Sequence, residues 1–97
     1  MSVKETAFVF CVCVLRSGVT GEHYTGSTSD RIQRLEQHNA GLVRSTKHAL
    51  PWELVYFEEY ATRSKAMRRE KFLKSGQGRE QLKRILKEQE NQRGNPS

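Results

Sequence analysis

The stretch EHYTGSTSDRIQRLEQHNAG, residues 22–41, passes from one kind of local structure to another and so sets the architecture. HYTGS reads as a short strand that resumes after the two-glycine turn RSGVTGEH, which makes a hairpin with whatever precedes it. Thr28, Ser29 and Asp30 each offer a side-chain oxygen to the first N–H groups of a helix, and Gly41 can close the helix at its other end. Ile32 and Leu35 give that helix a narrow apolar stripe.

Upstream, AFVFCVCVL (7–15) is apolar on both alternating faces and rich in Val and Phe, the pattern of a central strand covered on two sides. Downstream, the polar loop LVRSTKHALP leads to WELVYFEEY, a third strand rich in aromatic and β-branched residues. Thr62 can cap a second helix, RSKAMRREKFLKS, which is predicted to stop at Gly76. A third helix, REQLKRILKEQE, carries Leu82, Ile85, Leu86 and Gln89 at helical spacing. The order β-β-α-β-α-α predicts an α+β fold, a small three-stranded antiparallel sheet with helices packed on it. One domain is expected over residues 1–88, and residues 89–97, ending in NQRGNPS, are expected to form a disordered tail.

A chain of 97 residues with 35% hydrophobic content supports one modest core, so an open cleft is expected in place of a deep pocket. The formal charge of +6 is unevenly spread: residues 1–60 hold six Lys/Arg against seven Asp/Glu, and residues 61–97 hold eleven against four. A local excess of this size suits a polyanion-binding face, with Lys65, Arg68, Arg69, Lys71 and Lys83 as candidate phosphate contacts. A solvated basic helix surface accounts for the charge equally well. Cys11 and Cys13 point to the same strand face and can pack as small hydrophobes. With no further cysteine, a disulfide framework and a Cys-rich zinc site are excluded. The nine-residue apolar run is too short to span a bilayer, Glu5 precedes it, and no A-x-A-like cleavage pattern follows. A soluble cytoplasmic protein without a membrane partner is expected.

Glu70 is the most informative single residue. On a helical wheel Leu73, Ala66, Glu70 and Met67 fall within about 120° of one another, so the carboxylate shares the apolar side. A charge there must be paired or bind a metal, and Arg63 and Lys74 lie on the same side as ion-pair candidates. Arg34 and His38, at i and i+4, share a face roughly 110° from the Ile32–Leu35 stripe. Arg34 offers a fork for a phosphate and His38 a proton relay; a plain surface pair is the alternative. Tyr24 stands beside Thr25–Gly26 and the helix start, where a phenol can position water; an ordinary strand aromatic is its alternative.

These blocks resemble the GIY-YIG nuclease superfamily, in particular its small stand-alone bacterial subgroup. YTG at Tyr24–Gly26 corresponds to the second half of the family signature, followed in order by STSDRIQRLEQHNAG, STKHALPWELVYFEEY and RSKAMRREKFLKSGQGR. The resemblance runs from about Phe8 to Leu86. It implies a phosphodiester-cleaving site with one divalent metal, Mg²⁺ or Mn²⁺, on Glu70. By the same correspondence Arg34 would stabilise phosphate charge, His38 would be a neighbouring hydrogen-bond or proton-relay group, and Tyr24 would position or deprotonate the attacking water. Gly26 would admit backbone close to the site. Cys13 stands where the first signature tyrosine is expected, eleven residues before Tyr24, and Asn91 lies too far along to match the asparagine that often follows the glutamate. The expected function is hydrolysis of nucleic acid, DNA in preference to RNA, with any sequence preference either weak or supplied by a protein partner. A non-catalytic nucleic-acid-binding module and a protein-interaction domain are the alternatives.

Overall fold

Three strands, β1 (Phe10–Ser17), β2 (His23–Thr28) and β3 (Trp52–Tyr60), form one antiparallel sheet in the order β2-β1-β3. This is a computed structural model, and it describes residues 9–93. The strand with two apolar faces is the central one, because only that place buries both. Val12 and Val14 form one core with Ala66, Leu73 and Leu82, while Leu15 forms a second with Ala49 and Trp52 on the opposite face. Helix α1 (Arg31–Asn39) covers the Leu15 face through Leu35; α2 (Arg63–Leu73) and α3 (Gly76–Arg93) cover the valine face. The α+β architecture and its order β-β-α-β-α-α are therefore as the sequence predicts.

One irregularity ties α3 to the sheet. Val14 pairs with Tyr56 but Leu15 pairs with Leu54, which leaves Val55 as an extra residue in β3. The Val55 carbonyl accepts a 2.7 Å hydrogen bond from Gln89 Nε2, so the glutamine that continues the Leu82–Leu86 stripe has a polar task. This anchor, followed by further helix-compatible residues, carries α3 on to Arg93. Residues 89–93 are thus helical, not part of a tail, and residues 94–97 lie outside the described residues, as do Ala7 and Phe8 at the start of the predicted strand.

The helix starts follow their caps. Asp30 Oδ1 accepts from the Gln33 N–H at 3.0 Å, and Thr62 Oγ1 accepts from the Lys65 N–H at 3.2 Å. Gly41 closes α1 in the left-handed region, at φ +76°. Two local expectations are corrected. Helix α2 ends at Leu73 and α3 begins at Gly76, earlier than the predicted start, with Ser75 Oγ accepting from the Gly78 N–H. At this corner a Cβ on Gly78 would lie 1.8 Å from the Phe72 carbonyl oxygen, so the glycine admits close packing and does not mark a stop. Ile32 is 66% exposed and belongs to no core. The Arg31 guanidinium, 3.8 Å over the Phe57 ring and bonded to Glu59, helps set a rotation of α1 that turns Leu35 and His38 inward instead.

Candidate active site

Ladder pairing decides which side chains meet. Tyr24 lies opposite Leu15 and Gly26 opposite Cys13, so Tyr24, Gly26 and Cys13 all face α1. A Cβ on Gly26 would stand 3.0 Å from Tyr24 Cε2 and 3.2 Å from its hydroxyl, which shows the phenol folded across the glycine. Arg34 Nη2, one turn into α1, donates to the Tyr24 hydroxyl oxygen at 3.3 Å. The ring of His38, one turn further, lies 4.7 Å from the Tyr24 ring at a tilt of 56°. Tyr24, Arg34 and His38 therefore form one cluster.

His38 is fully buried, and its surroundings select its protonation. Its Nδ1 lies 2.8 Å from Thr46 Oγ1, and that hydroxyl donates onward to the Val43 carbonyl at 3.3 Å. With the hydroxyl turned to Val43, the tautomer that completes this chain carries its proton on Nδ1 and leaves Nε2 as an acceptor. Burial, with the Arg34 charge beside it, pushes the His38 pKa below its ordinary value, so the imidazole is neutral at neutral pH. Among the described residues, His38 Nε2 and Arg34 Nε are both buried without a hydrogen-bond partner. One is an acceptor and the other a donor. The frame around them is long-range: Asn39 brackets the Trp52 backbone through Nδ2 (2.9 Å) and Oδ1 (2.6 Å), and Trp52 Nε1 donates to the Thr46 carbonyl at 2.9 Å. Thr46, Asn39 and Trp52 were not singled out by sequence, since nothing local links them to His38.

Glu70 arrives from the other face of the sheet. Its neighbours Ala66 and Leu73 are buried, whereas Met67 is 53% exposed, so the apolar side of α2 is narrower than the wheel suggests. Ser27 faces α2 because it follows Gly26, and its hydroxyl donates to Glu70 Oε1 at 2.7 Å. Lys74 Nζ holds the other oxygen, Oε2, also at 2.7 Å. Of the two expected ion-pair partners Lys74 is the one engaged; the Arg63 guanidinium sits 4.9 Å over Phe10. Burial alone would raise the Glu70 pKa, but hydrogen bonds from Lys74 and Ser27 and the charges of Lys74 and Arg34 hold it below its ordinary value. Arg34 bears electrostatically on both His38 and Glu70, but Tyr24, Arg34 and His38 lie on the α1 face of β2, whereas Glu70 meets the same strand through Ser27 on the α2 face.

No group of three or more His, Cys, Asp or Glu residues able to cage a metal occurs among the described residues. A single ionised carboxylate, its side chain 22% exposed, still fits a hard divalent cation that keeps most of its waters and takes phosphate oxygens from a substrate. Ser27 fixes the carboxylate's orientation, as an outer-shell donor does. The ammonium on Oε2 would have to move aside.

Cys13 is buried, and its thiol is pushed up to about 11 by burial and by the neighbouring Cys11, against the opposing charges of Arg31 and Arg34. It remains a neutral thiol at neutral pH and supplies no phenol. An open cleft of about 400 Å³ borders Tyr24 on its other side, with Leu73, Leu82 and Leu86 as apolar lining and Lys74, Arg79 and Lys83 as cations. Lys83 was expected among the phosphate contacts; Lys74 and Arg79 were not. Lys65, Arg68 and Lys71 are exposed on α2. Arg69 is corrected: its Nε and Nη2 bond both oxygens of Glu58 at 2.8 and 3.0 Å, and the same carboxylate accepts from Tyr56 and Tyr60. Its side chain is only 23% exposed and serves the α2–β3 contact. No helix among the described residues is long and apolar enough to cross a membrane.

The chain is 41% identical over 69 residues to a UPF0213 protein of Staphylococcus aureus, an alignment spanning 70% of this chain and 83% of that protein. It is 45% identical over 53 residues to a UPF0213 protein of Haloquadratum walsbyi, spanning 54% of this chain and 60% of the relative. The solution NMR structure of a UPF0213 protein from Bacillus halodurans is similar, with 30% identity, a TM-score of 0.49, and 79% and 84% of the two chains covered. The model of the GIY-YIG catalytic domain matches residues 9–83, from the start of β1 into α3, and on that match the chain belongs to the GIY-YIG family.

Proposed function

We propose that the protein is a divalent-metal-dependent endonuclease that hydrolyses phosphodiester bonds of DNA, with Tyr24, Arg34, His38 and Glu70 as its site. The observation that carries this reading is the Tyr24 phenol, laid over Gly26, held by Arg34, and with its ring 4.7 Å from that of a neutral His38. Tyr24 orients a water toward phosphorus; as the new P–O bond forms, the phenol oxygen takes the water's proton while passing its own to His38, and the bond to the leaving oxygen breaks with that oxygen taking a proton from solvent. Arg34, already at the site's centre, offers its unpartnered Nε–H to a phosphate oxygen, where negative charge accumulates in the transition state. Glu70 holds the cation, Mg²⁺ or Mn²⁺, whose chemistry when bound is charge neutralisation at the phosphate. Lys65, Arg68, Lys71 and Lys83 supply backbone contacts that carry no sequence information, so specificity comes from a protein partner.

Glu70→Ala is the test: metal-dependent cleavage of a DNA panel is lost while the far-ultraviolet circular dichroism spectrum is kept. Full cleavage by that variant overturns the assignment. A second reading, a binding module without cleavage, is favoured by the buried thiol of Cys13 where a phenol would be expected. It predicts DNA binding that weakens steeply with salt and shows no turnover with any metal.

A further inference from the structure

Lys74 stands between two places that both attract it. Its ammonium lies 2.7 Å from Glu70 Oε2, and its side chain also lines the cleft shared with Tyr24, Arg79 and Lys83. The two partners of the Glu70 carboxylate differ in kind. Ser27 is fixed on β2 by the ladder, whereas Lys74 reaches across one helical turn on a four-carbon stem and is 51% exposed. A divalent cation and an ammonium repel each other at one carboxylate, so a cation entering at Oε2 must send Lys74 elsewhere. The cleft is where it can go, and there a phosphate of bound nucleic acid would receive it between Arg79 and Lys83.

We propose that Lys74 has two working positions: it closes the Glu70 carboxylate in the free protein, and it moves onto a substrate phosphate when nucleic acid enters the cleft, opening the carboxylate to the metal. This rests on Glu70 being the metal ligand, as proposed above. Metal and nucleic acid then bind cooperatively, and the coupling acts equally in both directions. The free protein holds its metal weakly, and the substrate itself completes the site.

The test measures Mn²⁺ affinity of the protein alone, from the free-ion electron paramagnetic resonance signal and from broadening of the Ser27 and Glu70 amide resonances. Lys74→Met keeps the apolar stem and removes the ammonium. It is expected to bind Mn²⁺ about tenfold more tightly than the wild type, near the lower end of ordinary coupling between two ligands. Lys87→Met, which removes an exposed charge on α3, controls for net charge and is expected to change affinity little. In metal-free buffer, a short DNA duplex is expected to shift the wild-type Lys74 Nζ resonance as it leaves Glu70. Equal Mn²⁺ affinity in Lys74→Met and wild type, or no Mn²⁺ binding by either, overturns the two-position role. Glu70→Gln separates the two ideas. If it binds Mn²⁺ as the wild type does, the metal-ligand assignment fails. If it loses binding while Lys74→Met gains none, only the role of Lys74 fails.

Discussion

Tyr24 and Gly26 share one face of β2, and the phenol occupies the space that a side chain at residue 26 would need. A methyl group there would press on the ring at 3.0 Å and on its hydroxyl at 3.2 Å, tight enough that the phenol must give by a few tenths of an ångström. Gly26→Ala is therefore expected to push the phenol away from Arg34 and His38 without unfolding the sheet. A displacement of about 1 Å at a reacting group lowers turnover by roughly a hundredfold, so a shift of a few tenths is expected to lower it severalfold. Cleavage rate and thermal midpoint measured together check this. A variant that keeps both rate and midpoint shows that Tyr24 is not held where the reaction needs it.

The thiol that stands in place of a second phenol is expected to be inert. Raising its pKa from 9.0 to about 11 lowers the thiolate fraction, and hence alkylation, by about a hundredfold at mildly alkaline pH, before burial slows it further. Ellman's reagent is expected to find no fast-reacting thiol in the native protein and two in denaturant, since both Cys11 and Cys13 are free and buried. Fast native reaction would place a thiolate beside Arg31 and Arg34 and give Cys13 a chemical role after all.

Arg69 holds the platform on which Glu70 stands. Its two bonds to Glu58 fasten α2 to β3 one residue before the catalytic candidate, and Tyr56 and Tyr60 orient the same carboxylate from within β3. Arg69→Met leaves the partly buried Glu58 carboxylate without its cation and is expected to cost about 3 kcal/mol of stability in a urea titration. DNA affinity at fixed salt is expected to change less for this variant than for Lys71→Met, which removes an exposed cation of the same helix. The reverse order would return Arg69 to the phosphate contacts.

The frame was legible wherever one strand or helix carried its own signal. The two apolar faces of β1 demanded a central place, and the polar side chain of Asp30 before a helical run marked the start of α1. Tyr24, Arg34, His38 and Glu70 were singled out by type and order; the first three lie together on the α1 face, and Glu70 stands on the α2 face. What stayed hidden depends on elements distant in the chain. No local pattern says that Thr46 fixes the His38 proton or that Ser27 meets Glu70 across 43 residues. Alternation along YTGS does place Ser27 on the face opposite Tyr24, a polar residue aimed at whatever helix covers that side. The wheel could not choose between Arg63 and Lys74, because Phe10 drew Arg63 away. At the α2–α3 corner Gly76 opens α3 directly after α2 has ended at Leu73, and the glycine that close packing requires there is Gly78.

His38 gives stability a pH dependence of definite sign. Its folded pKa lies below 6.5, lowered by burial and then by Arg34, so as pH falls the unfolded chain takes up the proton first. Its contribution is complete above about pH 6.5 and is lost as pH drops through the lowered folded value. Glu58 and Glu70, held below 4.5, keep their contributions until pH falls further, so acid weakens the fold in two stages. His23 is lowered in the same direction, by burial and by Arg16, and adds to the first stage. Urea midpoints across this range are expected to show the first stage reduced in His38→Gln and in His23→Gln, and absent when both are replaced. Cleavage by the wild type should decline only at the lowered value, because it is the neutral ring that keeps Nε2 free to accept a proton. If His38→Gln leaves the first stage untouched, the ring takes up its proton alike in the folded and unfolded chain, and burial does not hold it neutral as an acceptor for Tyr24.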